Sequence, residues 1–581
     1  MTEIWFLKNN NNAQFPNKNL NLLERTKLRI LLNRNITTIE QMKQFFLNPL
    51  ESLPSAKLFN DYEILLKRLL NAKNNDESVI IVGDYDVDGI MSTSILMKVL
   101  KKLGLNVSYK IPNRVFDGYG INKRIIDECK LEGATVIITV DNGIQAFDEL
   151  AYAKELGLDV FITDHHELKT DENAVLVPEC IGVINPHNPA STYPFKLLCG
   201  AGIAYITAIE LLKDLDFYDE ELDDELLGFA AIATVCDVVD LVEANRTIVY
   251  NGLLKLRETR NIGLRKLIEI SDVNIATLNS YHLGFVIGPR FNSSGRLETA
   301  TIGIELLLTD CEEKATDLAK KLDDLNEERK EITEIGYREA LDLIDSKNLP
   351  NAIVIYLKNI HESVAGIIAG RIKENFYRPT IVFTDSEDFL KGSGRSVDEF
   401  DIFSAISQFS DLCLKFGGHK MACGLSISKE NLNKFTEKLN VAAEPFKDSF
   451  VNKVYIDGVF PVEMTDFRFL EMINAFKPFG KANPNPRFAD THLRLLGFKV
   501  LGKNRNVIKL FVLTKNNNRS EMILFETEEK FLKRFFDEYN MDIYKKINEG
   551  LYIDTVYYPN LNDYNGKKEV QIVVTNYRYR R

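Results

Sequence analysis

Cysteine is scarce and scattered in this chain of 581 residues. The seven cysteines stand at 129, 180, 199, 236, 311, 413 and 423, and no two lie within four positions. That spacing excludes a cysteine zinc site and a disulfide framework, and the odd number fits a reducing compartment. Each is expected to be a small buried hydrophobe. Long apolar runs are missing too, and none approaches the ~20 residues that span a bilayer. The opening residues, MTEIWFLKNNNNAQF, lack the charged, apolar and small-residue order of a secretory signal, so a cytoplasmic protein is expected. Basic charge is in deficit, with a net charge of −12. This excludes a protein coated in basic residues but leaves room for a local basic channel. Residues 213–225 alone carry eight acids against one lysine, and are expected to form a solvated loop or a partner surface.

What is present is an ordinary globular composition, 45% hydrophobic and 27% charged, which excludes general disorder. The length predicts about three to five domains. Residues 1–75 read as a helical lead-in, with Thr38 ahead of Glu40 and Gln41 as a helix start. From 76 to 305, short apolar runs (SVIIV, TVIITV, DVFIT) alternate with amphipathic stretches, the pattern of βαβ units around a buried parallel sheet. LLGFAAIATVCDVVDL is a further buried piece of this α/β domain. Residues 306–347 hold one long amphipathic helix, over 311–346, as a connector. A second α/β unit covers 348–450, with GSGRS and FGGHKMACG as glycine-rich loops. Residues 451–581 turn β-like and predict a small barrel. Its 501–581 stretch has 15 basic against 11 acidic side chains and 13 aromatics, suited either to a nucleic-acid surface or to a barrel core with ordinary surface charge.

Asp84, Asp86 and Asp88 follow the run VIIV, Asp141 follows TVIITV, and Asp164, His165 and His166 follow DVFIT. Asp237 follows FAAIATVC. Taken singly, each acid reads as a solvated turn or a helix cap and each histidine as structural. Taken together, if the runs are neighbouring strands, the side chains converge on the carboxyl rim of a sheet, where ligands collect. Carboxylates with imidazole suit manganese, magnesium or a related divalent ion. A carboxylate shared between two such ions is the usual layout for hydrolysing phosphate esters.

The ordered set GDYDVDG, VDNG, DHH and Asp237 resembles the motifs of the DHH phosphoesterase superfamily, and GSGRS and FGGHKMACG resemble its DHH-associated domain. With PNRVFDGYG, GPRFNSSGRL and KPFGKANPNPRF, the chain is similar from about residue 30 onward to the RecJ-like exonucleases, bacterial, cytoplasmic and specific for single-stranded DNA. The resemblance implies a DHH domain, a connector helix, a DHH-associated domain and an OB-like barrel. It implies two divalent ions, manganese before magnesium, held by Asp86, Asp88, Asp141, His165 and Asp237, with Asp141 the bridge. Asp84 would be a ligand or a support, Asp164 would orient an imidazole, and His166 would approach the scissile phosphate. His419, between Gly417, Gly418 and the following residues, would close over the DNA with Arg395 and Ser396. Arg114 and Tyr119 match positions that hold a 5′-terminal phosphate, and Arg290 and Arg296 match backbone-binding positions. Arg371 is a further candidate whose spacing also fits a helix surface.

The chain departs from the family at Ile360 and Ser363, where a tryptophan and a glycine are expected, and at Ser293 and Ser294, where alanines are expected. The expected activity is 5′→3′ hydrolysis of single-stranded DNA to 5′-mononucleotides in recombination and repair. The rivals are a phosphodiesterase of short oligonucleotides or cyclic dinucleotides, and a DNA-binding scaffold without catalysis. The expected partner is single-stranded DNA, with a helicase or a single-strand-binding protein as further candidates, no membrane, and a monomeric chain.

Overall fold

The computed structural model describes residues 3–8, 20–114, 116–171, 174–386, 388–564 and 566–580. The chain divides into two compact units. One comprises residues 50–239 and 247–452, and the other residues 3–49, 240–246 and 453–581.

The first unit holds two sheets. One has five parallel strands in the spatial order Asn106–Lys110, Ser78–Val82, Ala134–Val140, Asp159–Thr163, Gly182–Ile184. The three apolar runs that precede acids are therefore adjacent strands, and Asp84, Asp141 and Asp164 stand at one rim. The fourth run behaves differently. FAAIATVC belongs to the helix Glu220–Cys236, and Asp237 is its C-cap. A short run that is apolar all round cannot be told from a buried strand by periodicity, and here it is a helix buried on every side. The acidic stretch 213–225 is not a loop either. It ends one helix, turns, and opens Glu220–Cys236 with Asp219 as N-cap. Acids suit a helix N-terminus, and Lys98, Lys102 and Lys255 pair with Glu225, Asp219 and Asp224.

The connector helix spans Glu312–Asp342, ~46 Å at 1.5 Å per residue. Beyond it lies a mixed five-stranded sheet in the order Cys413–His419, Ala422–Ile427, Leu390–Arg395, Thr380–Asp385, Ile353–Leu357. The two stretches expected as glycine-rich loops are strands of this sheet. Their glycines make room for neighbours, as a Cβ on Gly392 would come within 2.5 Å of the Phe383 ring.

In the second unit five long strands close a barrel. Phe488–Leu501, Val507–Leu513, Arg519–Leu524, Lys567–Arg580 and Leu551–Tyr564 pair in that order, and the last pairs back with the first. The lead-in 1–75 does not stand alone. Helices Leu22–Leu32 and Ile39–Leu47, both with capping boxes, belong to this unit, and Ile30, Leu31 and Ile36 share a core with Phe460, Phe469 and Phe476. Helix Tyr62–Asn74 belongs to the first unit. Thr38 does start its helix, as its side chain accepts from the Gln41 amide. Arg246 is fully buried in the second unit, stacked on Phe45 at 3.8 Å, and donates to the carbonyls of Phe45, Phe476 and Lys477. Among the described residues no helix is long and apolar enough to cross a membrane.

Candidate metal centre and phosphate cleft

Most of the acids on the sheet rim are fixed by backbone amides. Asp86 caps helix Val87–Lys102, its Oδ1 accepting from the amides of Asp88 and Gly89. Asp88 accepts from the amides of Gly200 and Ala201 at 2.6 and 2.7 Å, at the start of helix Gly200–Asp214. Only glycine allows that approach, because a Cβ on Gly200 would lie 2.7 Å from the Asp141 Cβ. Asp141 has φ +60°, a backbone that non-glycine residues seldom adopt. Asp86 is thus a helix cap and a candidate ligand at once.

Three overlapping groups result. Potential ligand atoms of Asp84, Asp86 and Asp141 lie within 4.8 Å of one another, as do those of Asp88, His165 and Asp237, and those of Asp141, His165 and His166. His165 Nε2 is 3.1 Å from Asp141 Oδ1, 3.7 Å from Asp88 Oδ2 and 3.9 Å from Asp237 Oδ2. Asp141 and His165 are each common to two groups.

The electrostatics show a cluster lacking positive charge. Burial, together with Asp86, pushes the Asp84 carboxyl well above its usual range. Burial and Asp88 raise Asp86, and burial with Asp88 and Asp86 raises Asp141 strongly. Burial lowers His165, so its imidazole favours the neutral form that ligates metal. Asp84 Oδ1 and Asp141 Oδ1 are buried without a hydrogen-bond partner. Unpaired buried carboxylate oxygens beside an imidazole, with no thiolate in the set, fit a hard divalent cation.

Asp164 plays another part. It accepts from the amides of Ile144, His165 and His166 and bonds His166 Nδ1 at 2.7 Å. Burial opposes its charge, but the His166 hydrogen bond and the two imidazoles hold its pKa low. Oδ1 takes three of these bonds and Oδ2 the one from Ile144. Burial opposes the charge of His166 too, yet the Asp164 bond and surrounding carboxylates bring that group up to about 9. Tyr119 donates to the Asp141 carbonyl at 2.6 Å, and its hydroxyl lies 3.2 Å from His166 Nδ1.

Guanidiniums border this rim. Arg114 lies over the Tyr85 ring at 4.9 Å, and its charge reaches Asp84. Arg296 donates to the Ser363 carbonyl at 2.6 Å. Burial and the charges of Arg114, Arg329 and Arg395 all disfavour its own charge. Arg395 is likewise pushed down by burial, with Arg114 adding to it. Several cations are crowded together here. Beside them a cleft of about 440 Å³ is lined by Tyr85, Arg114, Lys391, Ser393, Lys415 and Gly417, among others.

Arg290, Arg371 and Ser396 are committed elsewhere. Arg290 is buried, holding Asp323 with Nε and Nη2 and the Val286 carbonyl with Nη1. Arg371 stacks on Tyr337 at 3.9 Å and pairs with Glu334 at 3.0 Å. The buried Ser396 hydroxyl donates to the Phe400 carbonyl at 2.6 Å. Gly417, Gly418 and His419 sit in a hairpin strand, and His419 Nδ1 accepts from the Met421 amide. Ser293 and Ser294 donate to carbonyls of their own helix, so the departures there leave no hydroxyl unsatisfied. Sequence reasoning missed Asn142, whose amide donates to the carbonyls of Val82 and Val140 and accepts from the Ile121 amide, stapling three rim segments. It also missed Lys391, Lys415 and Arg329. An asparagine directly after a strand-end acid was the available signal for Asn142. The cations carried none.

A parallel sheet with this carboxylate–imidazole rim, joined by a long helix to a glycine-rich second sheet, defines the DHH class of phosphoesterases. The DHH family, N-terminal domain, matches residues 78–234, the DHHA1 domain matches 349–444, and the RecJ OB domain matches 456–576. The single-stranded-DNA-specific exonuclease RecJ of Bacillus subtilis is 33% identical over 555 residues, 94% of this chain and 67% of that one. The Salmonella typhimurium protein of that name is 36% identical over 457 residues, 75% and 78% of the two chains. The structure of Thermus thermophilus RecJ in complex with Mn²⁺ matches with a TM-score of 0.81 at 25% identity, covering 99% of this chain and 79% of that one. An exonuclease RecJ bound to manganese matches at 0.59 with 30% identity, covering 68% and 97%. The chain belongs to the RecJ family.

Proposed function

We propose that this chain is a divalent-metal-dependent exonuclease that degrades single-stranded DNA from the 5′ end and releases 5′-mononucleotides. The observation that carries the reading is the acid rim sharing Asp141 between ligand groups, bordered by Arg114 and Arg296. Family membership supports single-stranded DNA as substrate and recombination and repair as context. Asp84, Asp86 and Asp141 would hold one ion, and Asp88, His165 and Asp237 a second, the two sets being linked through the third group, Asp141, His165 and His166. Manganese is the first choice and magnesium the second, because RecJ structures carry each and carboxylates suit both. Bound divalent ions supply Lewis acidity toward the phosphate and a lowered pKa for water.

The chain's own residues do the rest. Asp164 fixes the orientation of His166 through Nδ1, so that the imidazole can donate to a phosphate oxygen. Tyr119 ties that imidazole to the Asp141 backbone. Arg114, Arg296 and Arg395 would bind the terminal phosphate, whose extra charge distinguishes a strand end from an internal diester. The domain limits 76–305, 306–347, 348–450 and 451–581 are proposed as the working division. Time courses on end-labelled single strands, duplexes and a dinucleotide, with manganese and with chelator, test the reading. Mononucleotides released from the 5′ end of single strands in manganese alone are expected. Release from the 3′ end, or preference for the dinucleotide, would overturn polarity or substrate.

A further inference from the structure

Residues 280–297 form one unbroken helical rod with a wide turn inside it. Ser280–His282 leads into a π turn, Leu283–Ile287, and then into Gly288–Leu297. Asn279 caps the start through the amides of Tyr281 and His282. Such π turns are uncommon and concentrate at functional sites.

The buried side of the rod is anchored at the acid rim. Leu283 and Ile287 are buried, and the Leu283 carbonyl accepts from Cys236 Sγ, the residue before Asp237. Farther along, Asn292 Oδ1 accepts from the Val87 amide at 3.2 Å, one residue past Asp86. The other side is open. Tyr281 and Phe285 are 63% and 71% exposed, yet their rings are stacked, with centroids 5.1 Å apart and planes 25° apart.

Helical phase extends this pair into a stripe. At ~100° per residue in the α segments and ~80° in the wider π turn, Tyr281, Phe285, Pro289 and Arg296 point the same way. Pro289 and Arg296, on that side of the last segment, are partly exposed. The stripe therefore runs from two exposed aromatic rings to the arginine that borders Asp86. The rise per residue puts Phe285 about 15 Å from Arg296 along the axis. A strand whose terminal phosphate lies among the arginines would be within a few nucleotides of the rings.

We propose that Tyr281 and Phe285 form a stacking platform for the bases of the single strand that Arg296 and the acid rim receive. The inference rests on the exonuclease reading and deepens it by assigning a positioning site for bases. Stacking suits a sequence-tolerant enzyme, since every base has a π face. The rod fixes both rings beforehand, so little order is lost on binding.

The test compares the full chain with Tyr281→Ala/Phe285→Ala on two 5′-phosphorylated, 3′-labelled strands. One carries all its bases, and the other an abasic block moved stepwise from the 5′ end. Binding is measured by anisotropy in chelator, and degradation in manganese. The double variant is expected to bind the normal strand about ten-fold more weakly and to raise KM while kcat holds. With the abasic block opposite the platform, wild type and variant should bind alike. Phe285→Trp should keep wild-type affinity. Leu131→Ala, at a residue 87% exposed on another helix, should change nothing. Unchanged affinity in the double variant, or equal losses on both strands at every block position, would overturn the platform. Wild type that binds but releases no nucleotide would overturn the exonuclease reading instead, while the binding arm still decides the platform.

Discussion

The acid rim and the arginine cluster are built on opposite signs of the same idea. On the rim, burial and mutual repulsion disfavour the charges of Asp84, Asp86 and Asp141. In the cluster, burial and repulsion disfavour those of Arg296 and Arg395. Neither set neutralises the other fully, although Arg114 acts on Asp84 and Arg296 on Asp86. Left alone, both are costly. On the proposed function each meets its own ligand, a divalent cation for the carboxylates and a phosphate for the guanidiniums. The two also differ in construction. Asp86 and Asp88 are clamped by backbone amides at helix starts, whereas the arginines reach in from separate segments with few fixed bonds.

The largest effect should follow from removing the acid common to two ligand groups. Asp141→Ala is expected to lower hydrolysis by more than about a thousand-fold, because several kcal/mol of charge stabilisation leave with the ions at about 1.4 kcal/mol per factor of ten. Manganese at a hundred times its Kd should stabilise wild type by about 2.7 kcal/mol in thermal melts. The variant should gain much less. A folded Asp141→Ala protein with near-normal activity would remove Asp141 from the centre of the rim.

A smaller loss should come from Asp164, whose proposed part is to orient His166. Asp164→Asn keeps the shape but cannot accept from three amides and an imidazole as a carboxylate does. Loss of an orienting partner typically costs about 10–100-fold in affinity or activity. Manganese titrations and rates should both move. If the rate is unchanged, His166 does not need this support.

How much of this was legible follows from how each cluster is assembled. Asp84, Asp141 and Asp164 follow apolar runs that are strands, so strand order brings them together, and Asp86 and Asp88 follow Asp84 into the helix that starts there. Asp237 was readable as an acid after such a run, but the run is a helix, and local pattern cannot decide between the two. The arginines were harder. Arg114, Arg296, Arg329 and Arg395 come from four distant segments, and only tertiary packing distinguishes them from Arg290 and Arg371. The lead-in helices show the same limit. Capping boxes at Asn21 and Thr38 are local and readable, but their burial against Phe460 and Phe476 depends on residues over 400 positions away.

Within the arginine cluster, Arg114→Ala should narrow the preference for 5′-phosphorylated over 5′-hydroxyl strands by about ten-fold or more. Each charge-assisted hydrogen bond lost is worth about 1.5–3 kcal/mol. Metal binding should stay intact, since Arg114 lies over Tyr85 and belongs to none of the ligand groups. Paired initial rates on strands differing only at the 5′ end measure this. Equal rates on both ends in wild type would remove the pocket from the account of polarity.

The smallest effect is expected at Arg371, and it separates the two kinds of arginine most sharply. Arg371 and Arg114 both lie over a tyrosine ring, at 3.9 and 4.9 Å. Arg371 also holds Glu334, which in turn holds Arg338, so its charge is already answered on the connector helix. An exposed pair of this kind contributes about 0–1 kcal/mol to stability. A cation with its own carboxylate releases few counterions on meeting DNA. The salt dependence of binding should show the difference, because each phosphate contact on a single strand contributes a slope of about 0.7 in log K against log salt. Arg114→Ala should flatten the slope by about that amount, and Arg371→Ala should leave it where it was. A slope that flattens for Arg371→Ala would mean that the Glu334 pair opens to admit the strand, and the connector helix would then join the DNA path.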